Sequence, residues 1–431
     1  MKKATAILLA LIMIIALAAC STDNAGTSGS PSTEASSSPS ASTSAGASTS
    51  PSSTPASNAS PTLPTATVSE GPVTSIETTS TIGFWEDALE SAASGRGKYH
   101  IVMMTHGTAT QWSYLTDMSA MFEGPLNVTI SEVSAGGDAD RLMAIAEEQA
   151  SDKTVDGFIL DVTTFYQERV LEILTEYNKP HVSIFDIMWG GVTDPETRTC
   201  LGPSVVVDPY TSGAVGIQWC AENYKTYWGE IDTSKLGFCG ATLSSSYDMN
   251  QRAVGAWDAF AALFPEASGN MWYADAAVGG FNADTFYQEV STVLTAHPEV
   301  EHWFVYAASG DSGGVGSVRG IEESGKNDCT IFVSGVPTTA VIEWDSGSLS
   351  NSWVASVDQS YALTMATALS GVIAMIDGRA TMSTLWEDSI KPGDASALLE
   401  IPASVMTRDS YKESRNVQYE AFGLEKPYPD I

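Results

Sequence analysis

From about residue 98 onward, short unbroken apolar runs alternate with longer stretches in which apolar residues recur every three or four positions. Runs of the first kind mark strands buried on both faces, and stretches of the second kind mark helices with one face against them. A strand opens the stretch 101–112 (Ile-Val-Met-Met-Thr-His-Gly-Thr-Ala-Thr-Gln-Trp), and further strands are predicted at 127–133, 157–162, 180–185 and 205–207. Helices are predicted between them at 114–122, 138–150 and 166–177. Asp208-Pro209 then reads as an N-cap followed by proline at the first helical position, opening a helix to about 227. The alternation starts again there, with strands at 235–239, 270–274, 302–308, 330–334 and 354–357 and helices at 252–264, 284–295, 316–323 and 360–376. Such regular alternation with short loops predicts an α/β protein of two doubly wound, Rossmann-like lobes, with a hinge and a cleft between them.

In open sheets of this kind ligands sit beyond the carboxyl ends of the strands. The loop after the first strand therefore supplies three candidate residues, His106, Gln111 and Trp112, although a solvated histidine and a tryptophan covering a helix start fit the same pattern.

The chain before residue 98 is of another character. Met-Lys-Lys, an apolar run from 6 to 16 and Leu17-Ala18-Ala19-Cys20 form a secretory signal ending in a cysteine. The signal, residues 1–20, resembles that of bacterial lipoproteins, which implies lipidation at Cys20. Residues 21–80 are Ser, Thr, Ala, Pro and Gly with few large apolar side chains, a composition that cannot offset its ordering entropy and suits an extended tether. Residues 81–97, with Ile82, Phe84, Trp85 and Leu89, read as an amphipathic lead-in. The expected location is the outer face of the plasma membrane, held by a lipid anchor alone.

Acidic residues outnumber basic ones by 52 to 20, a net charge of −32, which argues against nucleic acid as a partner. Cys200, Cys220, Cys239 and Cys329 lack CxxC spacing, so neither zinc nor redox chemistry is indicated; disulfides in any of three pairings and buried thiols both remain open.

Three stretches taken together resemble a known family. They are His297-Pro-Glu-Val-Glu-His-Trp-Phe-Val, then Gly310-Asp311-Ser312 with Gly316-Ser317-Val318-Arg319-Gly320, and Ile401-Pro-Ala-Ser-Val-Met-Thr-Arg-Asp-Ser-Tyr-Lys412. In order and spacing, over about 98–415, the chain resembles the sugar-binding proteins of bacterial ABC importers (the arabinose/ribose/galactose-binding family, arabinose branch nearest), which have the type I periplasmic-binding fold. The resemblance implies that Trp112 stacks on a sugar ring, that His106 replaces a basic residue after the first strand, and that Asp186 accepts from sugar hydroxyls. It also implies that Arg252 of an Arg-x-x-Gly pattern, Asp311 of an Asn-Asp pair and Gln359 at the start of the return helix belong to the pocket. Asp186 and Arg252 suit hydroxyls on chemical grounds too, as charge-assisted partners. Gly310 and Ser334 stand where the family has asparagine, and losing two amides loosens the sugar pattern; Trp189 and Tyr247 are candidates to replace those contacts by stacking. The domain plan is 98–207 plus about 358–390 for the first lobe, 208–353 for the second, and 391–431 for a return strand and C-terminal segment.

Gly310-Asp311-Ser312-Gly313-Gly314 has the form of a nucleophile elbow. However, the histidines lie at 100, 106, 181, 297 and 302, none of them after Ser312 as the hydrolase order requires. No metal or nucleotide motif is present. The chain therefore reads as a monomeric, non-enzymatic binding lipoprotein without a cofactor, taking a mono- or small oligosaccharide and passing it to ABC permease subunits. The alternatives are a sensor feeding a kinase or chemoreceptor, or a binder of a nucleoside or autoinducer.

Overall fold

The computed structural model describes residues 79–105, 109–162, 164–190, 199–347 and 352–431, with 79–83, 109–117 and 164–165 placed by their backbone. Cys20, the signal, His106 and all of the tether up to residue 78 lie outside the described residues.

Two six-stranded sheets share one plan. The first has the order β2 (Val128–Ser134), β1 (Tyr99–Thr105), β3 (Gly157–Asp161), β4 (His181–Ile184), β7 (Ser204–Val207) and β13 (Leu398–Ile401), every neighbouring pair parallel. The second has the order β9 (Met271–Asp275), β8 (Leu236–Thr242), β10 (His302–Ala307), β11 (Thr330–Ser334), β12 (Trp353–Asp358) and β14 (Ser404–Thr407). Only its last pair, β12 with β14, runs antiparallel. A small hairpin of β5 (Trp189–Gly190) and β6 (Thr199–Cys200) stands beside the first sheet. The inner strands β1, β3, β4, β7, β8, β10, β11 and β12 are almost wholly buried, as their unbroken apolar runs require, because helices cover both faces.

The chain passes between the sheets three times. It leaves β7 through Asp208 into α5 (Pro209–Trp228), which packs on β10, β11, β12 and β14. The predicted cap is present: Asp208 accepts from the Thr211 amide at 2.7 Å. It returns from β12 into α10 (Tyr361–Ile376), a helix apolar on all sides and buried from Tyr361 to Met375 against β3, β4 and β7. Between them Ser360 adopts a left-handed backbone, φ 46°, with its amide held by Asp358 Oδ1 at 2.9 Å. The third passage is 402–403, which joins β13 of one sheet to β14 of the other.

The remaining helices are α1 (Thr79–Ala93), α2 (Ala109–Leu126), α3 (Ala139–Ser151), α4 (Thr164–Glu176), α6 (Tyr247–Leu263), α7 (Ala283–Ala296), α8 (Ser312–Glu323), α9 (Thr338–Ser346) and α11 (Tyr411–Ala421). The lead-in is α1, pinned by Trp85 edge-on to Phe122 at 6.0 Å and to Phe422 at 5.4 Å. Two helices begin earlier than their sequence pattern indicates, α6 at Tyr247 rather than 252 and α8 at Ser312 rather than 316. In α8 the low helix propensity of Gly313, Gly314 and Gly316 is overridden by packing against α7. Helix α9 and the β5/β6 hairpin were not legible, being short and without clear periodicity. Among the described residues Cys200, Cys220, Cys239 and Cys329 are free thiols, and burial pushes Cys200 and Cys239 up to about 12.

Helices α5 and α6 touch backbone to backbone. A Cβ on Gly213 would stand 1.8 Å from the Arg252 carbonyl, and one on Gly255 would stand 1.9 Å from the Tyr210 carbonyl. Neither position can hold a side chain unless the helices separate. Gly255→Ala is therefore expected to cost about 1–3 kcal/mol, read as a lowered midpoint in urea melts. Gly269→Ala, which meets nothing within 4 Å, should stay within about 0.5 kcal/mol of the parent.

Candidate functional site

Arg252 lies on α6, just behind the close contact with α5, and is only 6% exposed. Its Nη1 donates to the Ala308 carbonyl beyond β10 at 3.1 Å. Its Nε has no hydrogen-bond partner among the described residues. A buried guanidinium is tolerated only where negative charge surrounds it, and four acids do so. Asp161 is the last residue of β3 and Asp186 follows β4 closely. Asp248 stands four residues before Arg252, on the same face of α6, and Asp311 precedes α8. The first two come from the first sheet and the last two from the second. Asp161, Asp186 and Asp311 are half-buried and Asp248 is buried.

The electrostatics follow from this crowding. Loss of water pushes Asp161 up to about 7; Arg252 draws it down, against the repulsion of Asp248 and Asp311. Asp186 is held well above the ordinary carboxylate range, first by burial and then by the charges of Asp248 and Asp161, against the pull of Arg252. Burial also raises Asp311, offset by bonds from the Ser309 hydroxyl and the Ser312 amide and by Arg252. Tyr361, at the start of α10, joins the group: burial raises its phenol, which also feels Asp358, Arg252 and Asp161.

An aromatic pair flanks the acids. Trp189 on the hairpin meets Tyr247 at the start of α6 edge-on, with centroids 6.5 Å apart. The Trp189 amide donates to Gln167 Oε1 at 3.2 Å, whereas its buried indole Nε1 has no partner among the described residues. Gln359 donates from Nε2 to the Gly335 carbonyl at 2.7 Å, and its Oε1 is buried without a donor.

The structure thus brings Asp186, Arg252 and Asp311 together, with Trp189 and Tyr247 beside them. Gln111 and Trp112 are placed in the first turn of α2, after β1. Ser334 is engaged by the fold: Trp353 Nε1 donates to its hydroxyl at 3.2 Å, and it lies 2.8 Å from the Ser356 hydroxyl. Gly310 is explained by packing, since a Cβ there would stand 2.0 Å from the Val336 carbonyl; no asparagine fits that backbone. Sequence reasoning missed Asp161, Asp248 and Tyr361. Asp161 closes its strand as Asp186 nearly closes the next, and Asp248 is one helical turn from Arg252, so both signals were present. Ser312 begins α8, and His302 opens β10 at that strand's far end. Among the described residues no group of three or more His, Cys, Asp or Glu side chains is placed to hold a metal.

No family model and no curated protein matches the sequence. Solved structures do. AraP, an arabinose-binding protein from Geobacillus stearothermophilus, matches with a TM-score of 0.55 at 16% identity, over 73% of this chain and 99% of its own. A periplasmic solute-binding protein from Actinobacillus succinogenes, with bound D-allose, matches at 0.54 and 14% identity, over 73% of this chain and 100% of its own. The fructose-binding periplasmic domain of a hybrid two-component system matches at 0.52 and 16% identity, over 75% of this chain and 95% of its own. The chain has the type I periplasmic-binding fold of these proteins, as its resemblance to the sugar-binding family implied.

The raised acids make stability depend on pH. Asp161 titrates at about 7 when folded, against 3.8 unperturbed. Between those values the folded chain keeps a proton that the unfolded chain has lost. Stability therefore falls as pH rises from about 4 to about 7, by up to about 1.4 kcal/mol per pH unit for this group. Asp161→Asn, neutral throughout, should flatten the slope between urea melts at pH 5 and pH 7; an unchanged slope would count against the buried cluster.

Proposed function

We propose that this chain is an extracytoplasmic substrate-binding lipoprotein of an ABC importer, closing its two lobes on a mono- or small oligosaccharide. The observation that carries this reading is the buried Arg252, with an unpartnered Nε, set among carboxyls supplied by both sheets at their strand ends. Hydroxyls both donate and accept, so they suit a guanidinium beside carboxylates. Trp189 Nε1 supplies another donor, and the faces of Trp189 and Tyr247 offer plates for the C–H surface of a sugar ring; Trp112 is the stacking residue that the family resemblance implies. His106 and Gln111, which follow the first strand in the sequence, are the proposed remainder of the first lobe's side of the pocket. Gly310 and Ser334 line it without contributing chemistry.

In this reading the lobes are 98–207 plus about 358–390 and 208–353, and the three passages between the sheets form the hinge. The ligand stabilises the closed state by its differential affinity for it. The protein acts as a monomer, tethered through Cys20 by a lipid, and delivers its ligand to permease subunits. No described helix is long and apolar enough to cross a membrane. A second reading, a sensor that presents its closed form to a kinase, is favoured by the likeness to the fructose-binding domain of a two-component system. A non-sugar ligand such as a nucleoside or autoinducer is the third.

A thermal-shift screen against pentoses, hexoses, disaccharides, polyols and nucleosides tests the ligand class. A ligand at a hundred times its dissociation constant should add about 2.7 kcal/mol of stability. Arg252→Ala and Asp186→Ala should each weaken the hit by about 2–5 kcal/mol, because each takes a charge-assisted hydrogen-bond partner from the buried hydroxyls of the ligand. A response from nucleosides alone would keep the fold and overturn the sugar.

A further inference from the structure

Helix α11 buries polar side chains that packing alone does not require. A helix that merely covers a neighbour needs an apolar stripe, yet Arg415, Asn416 and Gln418 are each less than one-tenth exposed. Burying such groups costs free energy unless each finds a partner, and their partners lie in the C-terminal tail and at the hinge. Arg415 Nη1 donates to the Tyr428 hydroxyl at 2.9 Å. Asn416 holds the backbone of Tyr428 in both senses, donating to its carbonyl at 2.6 Å and accepting from its amide at 3.0 Å. Gln418 Nε2 donates to Asp358 Oδ2. The other oxygen of Asp358 accepts from the amide of left-handed Ser360, at the crossing from β12 to α10.

The same helix has one end on each lobe. Its first residue, Tyr411, packs on Trp344 of α9 with centroids 5.2 Å apart, and its hydroxyl donates to Asp345 Oδ1 at 2.7 Å. The Tyr428 hydroxyl donates to the other oxygen of Asp345 at 2.8 Å, so the tail folds back onto that second-lobe helix. At the far end Phe422, the residue after α11, meets Trp85 of α1. Helix α1 is fixed to the first lobe: Ser91 donates to Asp377 at the end of α10 at 2.7 Å, and Asp87 pairs with Arg379 at 2.8 Å. Rotation of the lobes about the three passages must therefore strain one of these anchorages or carry α1 along. We propose that α11 is a brace across the hinge that sets the resting angle of the lobes, and that Gln418 is a positioning residue for ligand closure although it lies outside the cleft. This rests on the two-lobe closing of the reading above and not on which ligand closes it.

The test reads the mouth of the cleft without ligand. Strands β2 and β9 are the sheet edges opposite β13 and β14, where the chain crosses, so the loops after them flank the mouth. Asp140 and Val278 are exposed there. Spin labels on Asp140→Cys and Val278→Cys report the distance, in the mature chain with Cys20→Ser and Cys329→Ser so that the remaining thiols are buried ones. Gln418→Met, which keeps the side chain's length and loses its donor, and Phe422→Ala, which frees the helix from α1, are each expected to move the mean distance. The expected shift is more than about 2 Å, the scale of a domain rearrangement. Val417→Ala, on the same helix but 40% exposed, should keep the parental distance. A loss of stability alone, read separately in urea melts, does not move it. An unchanged distance in either folded variant overturns the inference, as does an equal shift in Val417→Ala; if Gln418→Met fails to fold, Phe422→Ala decides. An unchanged distance leaves the sugar reading standing, and failure of L-arabinose, D-allose and D-fructose to bind leaves the brace standing.

Discussion

The arrangement of the cleft depends on one buried guanidinium. Taking a charge such as that of Arg252 out of water costs several kcal/mol unless opposite charge and hydrogen bonds replace the lost hydration. Here the replacement comes from every direction: a carbonyl beyond β10, an acid on the same helix, one before α8, and two from the strand ends of the other sheet. The guanidinium is held in place by a contact with no chemistry of its own. The glycine faces of α5 and α6 meet backbone to backbone, so α6 cannot slide or roll without a clash at Tyr210 or Arg252 itself. Stability and site geometry are therefore tied at one helix pair.

The two sheets repeat one strand order and present their carboxyl ends to each other across the cleft, so each contributes half of the acids. That symmetry creates an electrostatic opposition within the fold. Once ionised, Asp161 and Asp186 on one lobe repel Asp248 and Asp311 on the other. A proton or a ligand that bridges them turns the same contact into an attraction. The three passages of chain between the sheets are short, and the second is braced by Asp358, which accepts from the Ser360 amide and from Gln418 Nε2. Burial pushes Asp358 up to about 6, against the pull of those two bonds.

Much of this was determined by the sequence alone. Unbroken apolar runs mean strands covered on both faces, and their alternation with amphipathic stretches leaves few folds except two parallel α/β lobes. Asp208-Pro209 dictated a helix start from local chemistry alone, and Arg252 and Asp186 were identifiable from residue type and strand-end position. What the sequence left undecided depended on distant partners. Whether Gly313 to Gly316 form helix is decided by α7 packing against them, and the routing of β13 and β14 into different sheets depends on the strands already there. Gly310 and Ser334 read as lost ligand contacts, yet the first is forced by the Val336 carbonyl and the second is bound into a knot with Ser356 and Trp353. Above all, Asp161 and Asp248 are 87 residues apart in a chain of many aspartates. Charge is additive along a sequence, but the free energy of a charge depends on what surrounds it, and only the tertiary structure brings those four carboxyls around Arg252.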